Sequence, residues 1–484
     1  MDCDTYSLKE WIFSEFYPMN TRVLQGELMP EDMASIVNDC ALKELPTIDA
    51  LSTREGWQLL TLLGILGTSV ERHAQQAVRR HSPAEAVLPG KGLALLFVNG
   101  KQPFLEYFQA LANTLHHPHR DSFITYIEMN GPCTEVQHPG MRQPMYRLGN
   151  LFEDDSFITF TGKFQEVEFI TLLKKSVSLQ GAANLLIEEA INHPKGIQAH
   201  ESIQALTAAA TLMFAIRDLI ADFIRRNPFS TDFFLDEHRQ YAVCWYADRT
   251  VKASSAANDD SSLLRDLLLF TELVPLRQGF GGFRSHVRDT YHVLLPDAVA
   301  RLEQAMNRES LEVLISKAIH LDLEALLTLD ESQVCALIQK QPWLAACLVL
   351  YRSQHEVSKA HFSTIMKYLV WPKRKRDKLE DSREQVTVVS NTRGSTGMEP
   401  MGIMAWLDQS RARHPLAMLG HRLPIVQLCS TLLQQYVSHP IEMSFEELVT
   451  FLPTDMSDTL RPCALGRWSN RIGVDLVSLV PEAN

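Results

Sequence analysis

The sequence lacks several features that would point directly to a function. Its eight cysteines are scattered and none forms a Cys-x-x-Cys pair. We also find no Walker motif, no His-Glu-x-x-His motif and no nucleophile elbow. Scattered cysteines indicate reduced thiols rather than a disulfide framework. The missing motifs leave P-loop NTPases, zinc peptidases and α/β-hydrolases without support.

Two further absences concern membranes and nucleic acids. Apolar runs such as 59–66 and 93–98 are too short to span a bilayer, and the N-terminus has no apolar segment of the signal-peptide type. The formal net charge is −12. Proteins that bind nucleic acids generally need an excess of basic residues to displace phosphate counterions. We therefore expect a cytoplasmic protein without nucleic-acid or membrane partners.

The composition suits a globular chain of two or three domains, with 484 residues of which 45% are hydrophobic. Apolar residues recur at helical spacing through most of the chain. The pattern changes at about 120–165, where the β-rich runs 123–127 and 157–161 occur. We predict a mainly α fold, with an N-terminal helical domain (1–197) that carries this small β element and an all-helical domain (198–484).

One apolar stretch, 343–372, is predicted to be a helix that carries His355 and His361 and ends at Pro372. The residues four before and four after His361 are apolar, whereas the face of His355 becomes polar downstream. A haem needs an axial histidine on a rigid element beside an apolar slot. A histidine in such a helix is also common as a hydrogen-bonded structural residue, so the residues alone leave its role open.

A polar, charged segment at 373–398 follows the helix and is predicted to be a flexible loop, with a Gly394-Ser-Thr-Gly397 turn near its end. Its run Lys373-Arg-Lys-Arg376 has the composition of a nuclear-localisation signal, but acidic residues follow it closely. We interpret this run as part of a solvated loop.

Four blocks of sequence, in order along the chain, carry a resemblance to a known family. They are 220–245 with its Asn-Pro break, Phe233-Phe234 and Trp245; Asp289-Thr-Tyr-His-Val-Leu-Leu-Pro296; His361–Pro372 with its Lys-Tyr pair and closing proline; and Gly394–Gly397 with the stretch after it. Together they resemble the haem-dependent tryptophan/indoleamine 2,3-dioxygenase superfamily, including its monodechloroaminopyrrolnitrin synthase-like branch. The resemblance covers roughly residues 120–430.

The resemblance implies an indoleamine 2,3-dioxygenase-like fold, in which a large helical bundle binds haem b and a smaller N-terminal α+β domain accompanies it. It implies that His361 is the ligand of the haem iron, because the spacing to Pro372 and to Gly394 fits that residue. His355 is the alternative, because Arg352 lies three residues before it, where the family usually has an arginine.

The resemblance further implies an oxygenase that uses O2 on tryptophan or on an indole-containing or other aromatic derivative. In this interpretation Gly394 and Gly397 shape a mobile active-site loop, and Ser395 and Thr396 contact the substrate when the loop closes. On the distal side, a short stretch replaces the segment that supplies a carboxylate-binding arginine in indoleamine dioxygenases. The candidates in this stretch are Arg249, Lys252, Ser254 and Ser255.

Two alternatives stay open. The same fold can serve a haem enzyme of specialised metabolism that performs a monooxygenation or a ring rearrangement, as in the pyrrolnitrin-type branch. A second alternative, from a different class, is a helical interaction protein that does not bind haem. A haem absorption band separates this last alternative from the two enzymatic ones.

Overall fold

The fold is mainly helical, as predicted, with 70% helix and 4% strand. A computed structural model describes residues 5–82, 88–137, 143–246, 259–271, 282–379, 387–391, 413–436, 441–448 and 465–472. The helices are α1 (Thr5–Trp11), α2 (Tyr17–Gln25), α3 (Pro30–Ile36), α4 (Thr53–His81), α5 (Phe104–Thr114), α6 (Phe164–Asn192), α7 (His200–Arg226), α8 (Asp260–Leu269), α9 (Phe283–Arg288), α10 (Pro296–Met306), α11 (Leu311–Ile319), α12 (Leu323–Leu326), α13 (Glu331–Lys340), α14 (Pro342–Ile365), α15 (Trp371–Lys378), α16 (Pro415–Gly420) and α17 (Leu423–Leu433). The strands are β1 (Phe97–Val98), β2 (Gln102–Pro103), β3 (Thr134–Gln137), β4 (Tyr146–Leu148), β5 (Ile441–Leu448) and β6 (Leu465–Ile472).

The two largest hydrophobic cores in the described part of the chain meet within α6. The N-terminal core contains residues of α1 to α5 and of the first half of α6, up to Val177, together with Tyr241 and Trp245. The main core includes α6 from Leu179 onward and residues of α7, α8, α14, α16 and α17. The 29-residue helix α6 therefore joins both cores. The domain boundary predicted at residue 198 stays a prediction.

The helix pair α7 and α14 forms the centre of the main core, where the two helices pack along each other. The first half of α14 is buried without interruption from Trp343 to Gln354. A helix that is apolar on all sides is stable in water only when other elements surround it. Among the described residues, α7 also has the length and composition of a membrane-crossing helix, but 61% of that stretch is buried inside the protein.

The helical path does not end at Pro372, so this prediction is wrong. A widened π-helical turn at Met366–Val370 follows α14, and α15 then runs from Trp371 to Lys378. Pro372 lies in the first turn of α15, where a helix needs no N–H donor from that residue. The prediction that the loop 373–398 begins directly after Pro372 is therefore also wrong for its first six residues, 373–378.

The β-rich runs 123–127 and 157–161 do not form strands. Residues Ile124–Glu128 form a π-helical turn, and 157–161 have no regular secondary structure. Buried side chains satisfy the backbone of the second run in place of a sheet partner. Glu166 accepts hydrogen bonds from the N–H groups of Phe160 and Thr161, and Asn130 bonds both the N–H and the C=O of Ile158.

The larger sheet is antiparallel, with the strand order β4-β3-β5-β6. Its strands β5 and β6 lie in the C-terminal part of the chain, where the prediction of an all-helical domain is therefore wrong. The first six residues of β5, Ile-Glu-Met-Ser-Phe-Glu, alternate between apolar and polar, which is the period-two signal of a half-buried strand. Met443 of β5 pairs with Val136 of β3, and both are buried in the main core.

The basic run 373–376 is part of α15 and is not a solvated loop. The Arg376 side chain is 5% exposed and donates hydrogen bonds to both carboxylate oxygens of Asp236, at 2.5 and 2.8 Å. It also donates to Asp232 at 2.7 Å. These contacts fasten α15 to the π-helical turn Phe233–Glu237.

We expect Arg376→Met to lower the free energy of unfolding by about 1–3 kcal/mol, because it removes the buried guanidinium together with its charge-assisted hydrogen bonds. The matched control is Arg374→Met, on the exposed face of the same helix, which should change stability by no more than about 0.5 kcal/mol. Urea unfolding monitored by circular dichroism measures both. Equal effects of the two substitutions would contradict the structural role of Arg376.

Candidate functional site

His361 lies on α14 at the point where the helix leaves the core. Its side chain is exposed. On the same helix face, Val357 one turn before it is 8% exposed and Tyr368 two turns after it is 5% exposed. Packed positions therefore flank an accessible imidazole on a rigid helix.

The helix end beyond His361 is fixed to α7. Lys367 donates a hydrogen bond to the backbone carbonyl of Ile224 at 2.5 Å, and the Tyr368 hydroxyl lies 3.3 Å from the side-chain oxygen of Asn227. The buried half of α14 packs on α7 at the other end. The backbone that carries His361 is thus held on both sides, as a positioned ligand requires.

His355, the alternative ligand, belongs to a cluster of three side chains. Its Nδ1 lies 2.6 Å from Nε2 of His421, and the two rings meet edge to face. Nδ1 of His421 lies 3.7 Å from Oε1 of Glu356. We call His355, Glu356 and His421 the His-His-Glu cluster. At 2.6 Å the two ring nitrogens must share a proton, because two unprotonated lone pairs would repel each other.

The turn that carries His421 packs closely against α14. A Cβ atom added at Gly420 would lie 2.7 Å from the carbonyl oxygen of Leu348 and 3.2 Å from Cβ of Arg352. The absence of a side chain at Gly420 therefore allows the α16–α17 turn to reach the helix backbone. Burial, and then the neighbouring His355, lowers the pKa of His421 to about 4, so its imidazole is neutral at pH 7.

Arg352, predicted to contact the cofactor, lies one turn before His355 and is 6% exposed. Burial lowers the pKa of its guanidinium, and the nearby Glu356 opposes this shift. An arginine nevertheless keeps its charge at any physiological pH. The structure therefore places a buried positive charge beside the His-His-Glu cluster.

Aromatic rings form a separate cluster, the aromatic cluster, at the end of α7 beside the π-helical turn that follows α14. Its buried members are Phe223, Phe229, Phe233 and Tyr368, with Phe169 and Phe234 packed against them. The resemblance assigned Phe233-Phe234 to the segment before the distal pocket. Here Phe233 packs against Phe229, and Phe234 packs against Tyr368, seven residues after His361.

A buried histidine, His238, sits within the aromatic cluster, and the sequence analysis did not identify it. The rings of Phe169, Phe229 and Phe234 lie 4.8 to 6.2 Å from its own. Its Nδ1 is buried and makes no hydrogen bond within the described residues. Burial is the main reason why its pKa falls to about 3. No local motif marks this residue, because its environment comes from helices far apart in the sequence.

Trp245 lies away from the histidines of α14, in the N-terminal core. Its indole N–H donates to the Thr68 hydroxyl at 2.9 Å, and its ring packs on Phe104 and Phe108. The remaining predicted site residues lie outside the described residues, so their placement stays a prediction. They are Arg249, Lys252, Ser254, Ser255, Gly394, Ser395, Thr396 and Gly397.

A haem needs an axial histidine beside an apolar slot, and α14 supplies the first of these two requirements. A neutral imidazole on a rigid helix supplies the axial bond, and His361 offers an accessible ring between packed positions. Two cavities in the described part of the chain, of about 290 and 190 Å³, lie elsewhere and are not lined by either histidine. The larger one lies beside Glu312 and His414, which are 3.1 Å apart.

Comparisons with known proteins add no family assignment: no protein-family model matches this chain, and no curated protein matches it significantly.

We predict that His238 makes the fold less stable in acid. The unfolded chain takes up a proton at this imidazole near pH 6.5, whereas the folded protein resists protonation down to about pH 3. The stability that the neutral ring contributes is therefore complete above pH 6.5 and is lost progressively as the pH falls from 6.5 towards 3. Over the first two pH units this loss amounts to about 1–3 kcal/mol.

Urea unfolding of His238→Phe at pH 6.5 and 4.5 measures this contribution. We expect a smaller loss of stability between these two pH values than in the wild type. Phe234→Leu is the control, since it loosens the same aromatic cluster without removing the imidazole and should weaken the fold equally at both pH values. An unchanged pH dependence in His238→Phe would contradict this prediction, because it would mean that the ring binds a proton equally well in the folded and the unfolded state.

Proposed function

We propose that this protein is a haem-dependent oxygenase that acts with O2 on tryptophan or on an indole-containing or other aromatic derivative. The observation that carries the proposal is the position of His361. It stands accessible on a fixed helix, between buried neighbours, and the Lys-Tyr pair and the proline follow it at the offsets of the resembling family.

Haem b, when bound, supplies the O2-binding iron and the electron chemistry of the oxygenation. His361 would hold it through one ring nitrogen. The residues of this chain orient the imidazole: α7 fixes both the helix before His361 and the turn after it. Because the backbone around His361 is already ordered, the imidazole keeps one geometry without an entropic cost when the haem binds.

The aromatic cluster, which lies beside the π-helical turn after α14, also supports the proposal. Tyr368 packs on Phe223, Phe229 and Phe234, and its ring shares the face of His361. This arrangement places a group of packed aromatic rings about two turns beyond the proposed ligand, on the same helix face. An apolar surface of this kind is what a haem site needs beside its axial histidine.

The choice between oxygen insertion and ring rearrangement depends on the substrate-facing residues. The proposal assigns this task to Ser254, Ser255, Ser395 and Thr396, and the resemblance assigns Gly394 and Gly397 to the same loop as the last two. A second candidate function, a haem-free interaction protein, lacks a specific supporting observation in the described residues. We therefore retain the oxygenase as the proposed function.

The substitution His361→Ala tests the proposal. We expect the wild type, produced in haem-supplemented cells, to contain about one haem per chain, and His361→Ala to lose it, because this imidazole would form the only bond between the protein and the iron. His355→Ala is the matched control on the same helix and should retain haem. The haem-to-protein ratio, measured after extraction of the haem, gives both results.

A wild type that binds no haem would contradict the proposed function. Full haem retention by His361→Ala, with loss in His355→Ala, would instead move the axial ligand to His355 and keep the function. Circular dichroism of each variant distinguishes the loss of a ligand from the loss of the fold.

A further inference from the structure

The His-His-Glu cluster combines three potential metal ligands from two separate elements. His355 and Glu356 are neighbours on α14, and His421 follows α16, sixty-six residues further along the chain. One ligand atom of each side chain lies within 4.8 Å of the other two. The contact between Gly420 and the backbone of α14 fixes the distance between the two elements.

The spacing is close to that of a metal site. Zinc bonds of about 2.0–2.1 Å place the ligand atoms of a tetrahedral site about 3.3 Å apart. The ring nitrogens of His355 and His421 are 2.6 Å apart and would need to separate by about 0.7 Å to reach this value. The carboxylate of Glu356, now 3.7 Å from His421, would rotate towards the position of the ion between the two ring nitrogens. Both changes need only side-chain rotations.

The surroundings allow a cation to enter. The side chains of His421 and Glu356 are 30% and 18% exposed, so water and ions reach the cluster. Two positive side chains act against a cation: the buried Arg352, and Lys359, whose ammonium lies 3.3 Å from Glu356. Lys359 is 60% exposed and is free to swing into solvent when a metal takes its place at the carboxylate.

We propose that His355, Glu356 and His421 form a binding site for a divalent transition-metal ion of the zinc class, separate from the haem. Two imidazoles and one carboxylate are the ligands that Zn²⁺, Co²⁺ and Ni²⁺ accept, whereas Mg²⁺ and Ca²⁺ prefer oxygen ligands alone. Three protein ligands leave a further position for water. The bound ion would connect α14 to the α16–α17 turn. With His355 as a ligand of this ion, His361 is the histidine of α14 that remains for the haem.

Calorimetric titration of the chelator-treated full-length protein with Zn²⁺ tests the site. We expect one saturable site per chain and a melting temperature that rises with the Zn²⁺ concentration, because a ligand that binds only the folded state stabilises it. His421→Ala should weaken binding by at least about 100-fold, and Glu356→Gln by at least about tenfold, through the loss of one ligand each.

Two variants serve as controls with opposite expectations. Lys359→Gln removes the competing ammonium and should tighten Zn²⁺ binding several-fold, which a purely structural disturbance would not do. His361→Ala should bind Zn²⁺ like the wild type even though it has lost haem. This pair also separates the metal site from the proposed function, since haem binding and Zn²⁺ binding can each fail alone.

Three results would overturn the metal site. The first is the absence of saturable Zn²⁺ binding by the wild type. The second is unchanged affinity in both His421→Ala and Glu356→Gln, which would place the ion at other histidines. The third is loss of haem in His355→Ala while His361→Ala retains it, which would assign His355 to the iron.

Discussion

The packing of α14 against α7 is the constraint on which the rest of the main core depends. Twelve consecutive residues of α14, from Trp343 to Gln354, are buried, and such a segment has no stable position except between other helices. α6 and α8 surround the same pair, and the α16–α17 turn approaches α14 so closely that only glycine fits at position 420. Burial of this helix half therefore determines where the neighbouring elements lie.

The second half of α14 has the opposite character, and the proposed chemistry depends on this change. From His355 onward the helix presents polar and titratable side chains at its surface while its backbone stays anchored by the buried half. Two histidines one and a half turns apart then point to different surroundings. His355 meets His421 and Glu356, and His361 stands above the turn that packs on the aromatic cluster. One rigid helix thus carries the residues of both proposed sites.

The sequence predicted most helices, because apolar residues at helical spacing identify amphipathic and buried helices directly. The prediction of secondary structure was wrong where two local signals in the sequence favour different structures. Pro372 suggests a helix end, but a π-helical turn before it lets the chain continue into α15. The runs 123–127 and 157–161 have strand-like composition, yet the buried side chains of Asn130 and Glu166 satisfy the backbone of the second run. Strand β5 was missed although six of its residues alternate with period two.

In the candidate site, too, the sequence predicted some features and missed others. The positions of His355 and His361 on one helix follow from the sequence, since apolar residues recur at helical spacing through 343–372. The contact of His355 with His421 and that of His238 with Phe169 join elements far apart in the chain, which no local pattern encodes. Long-range contacts of this kind come from the packing of whole helices and become visible only in the fold.

The most direct test of the central claim is the absorption spectrum of the wild-type protein from haem-supplemented cells, recorded before and after dithionite and carbon monoxide. We expect a Soret band of stoichiometric intensity that shifts on addition of carbon monoxide, because a haem that binds O2 would also bind carbon monoxide when reduced. A protein without a Soret band would contradict the oxygenase and leave a helical fold with a candidate zinc-class site.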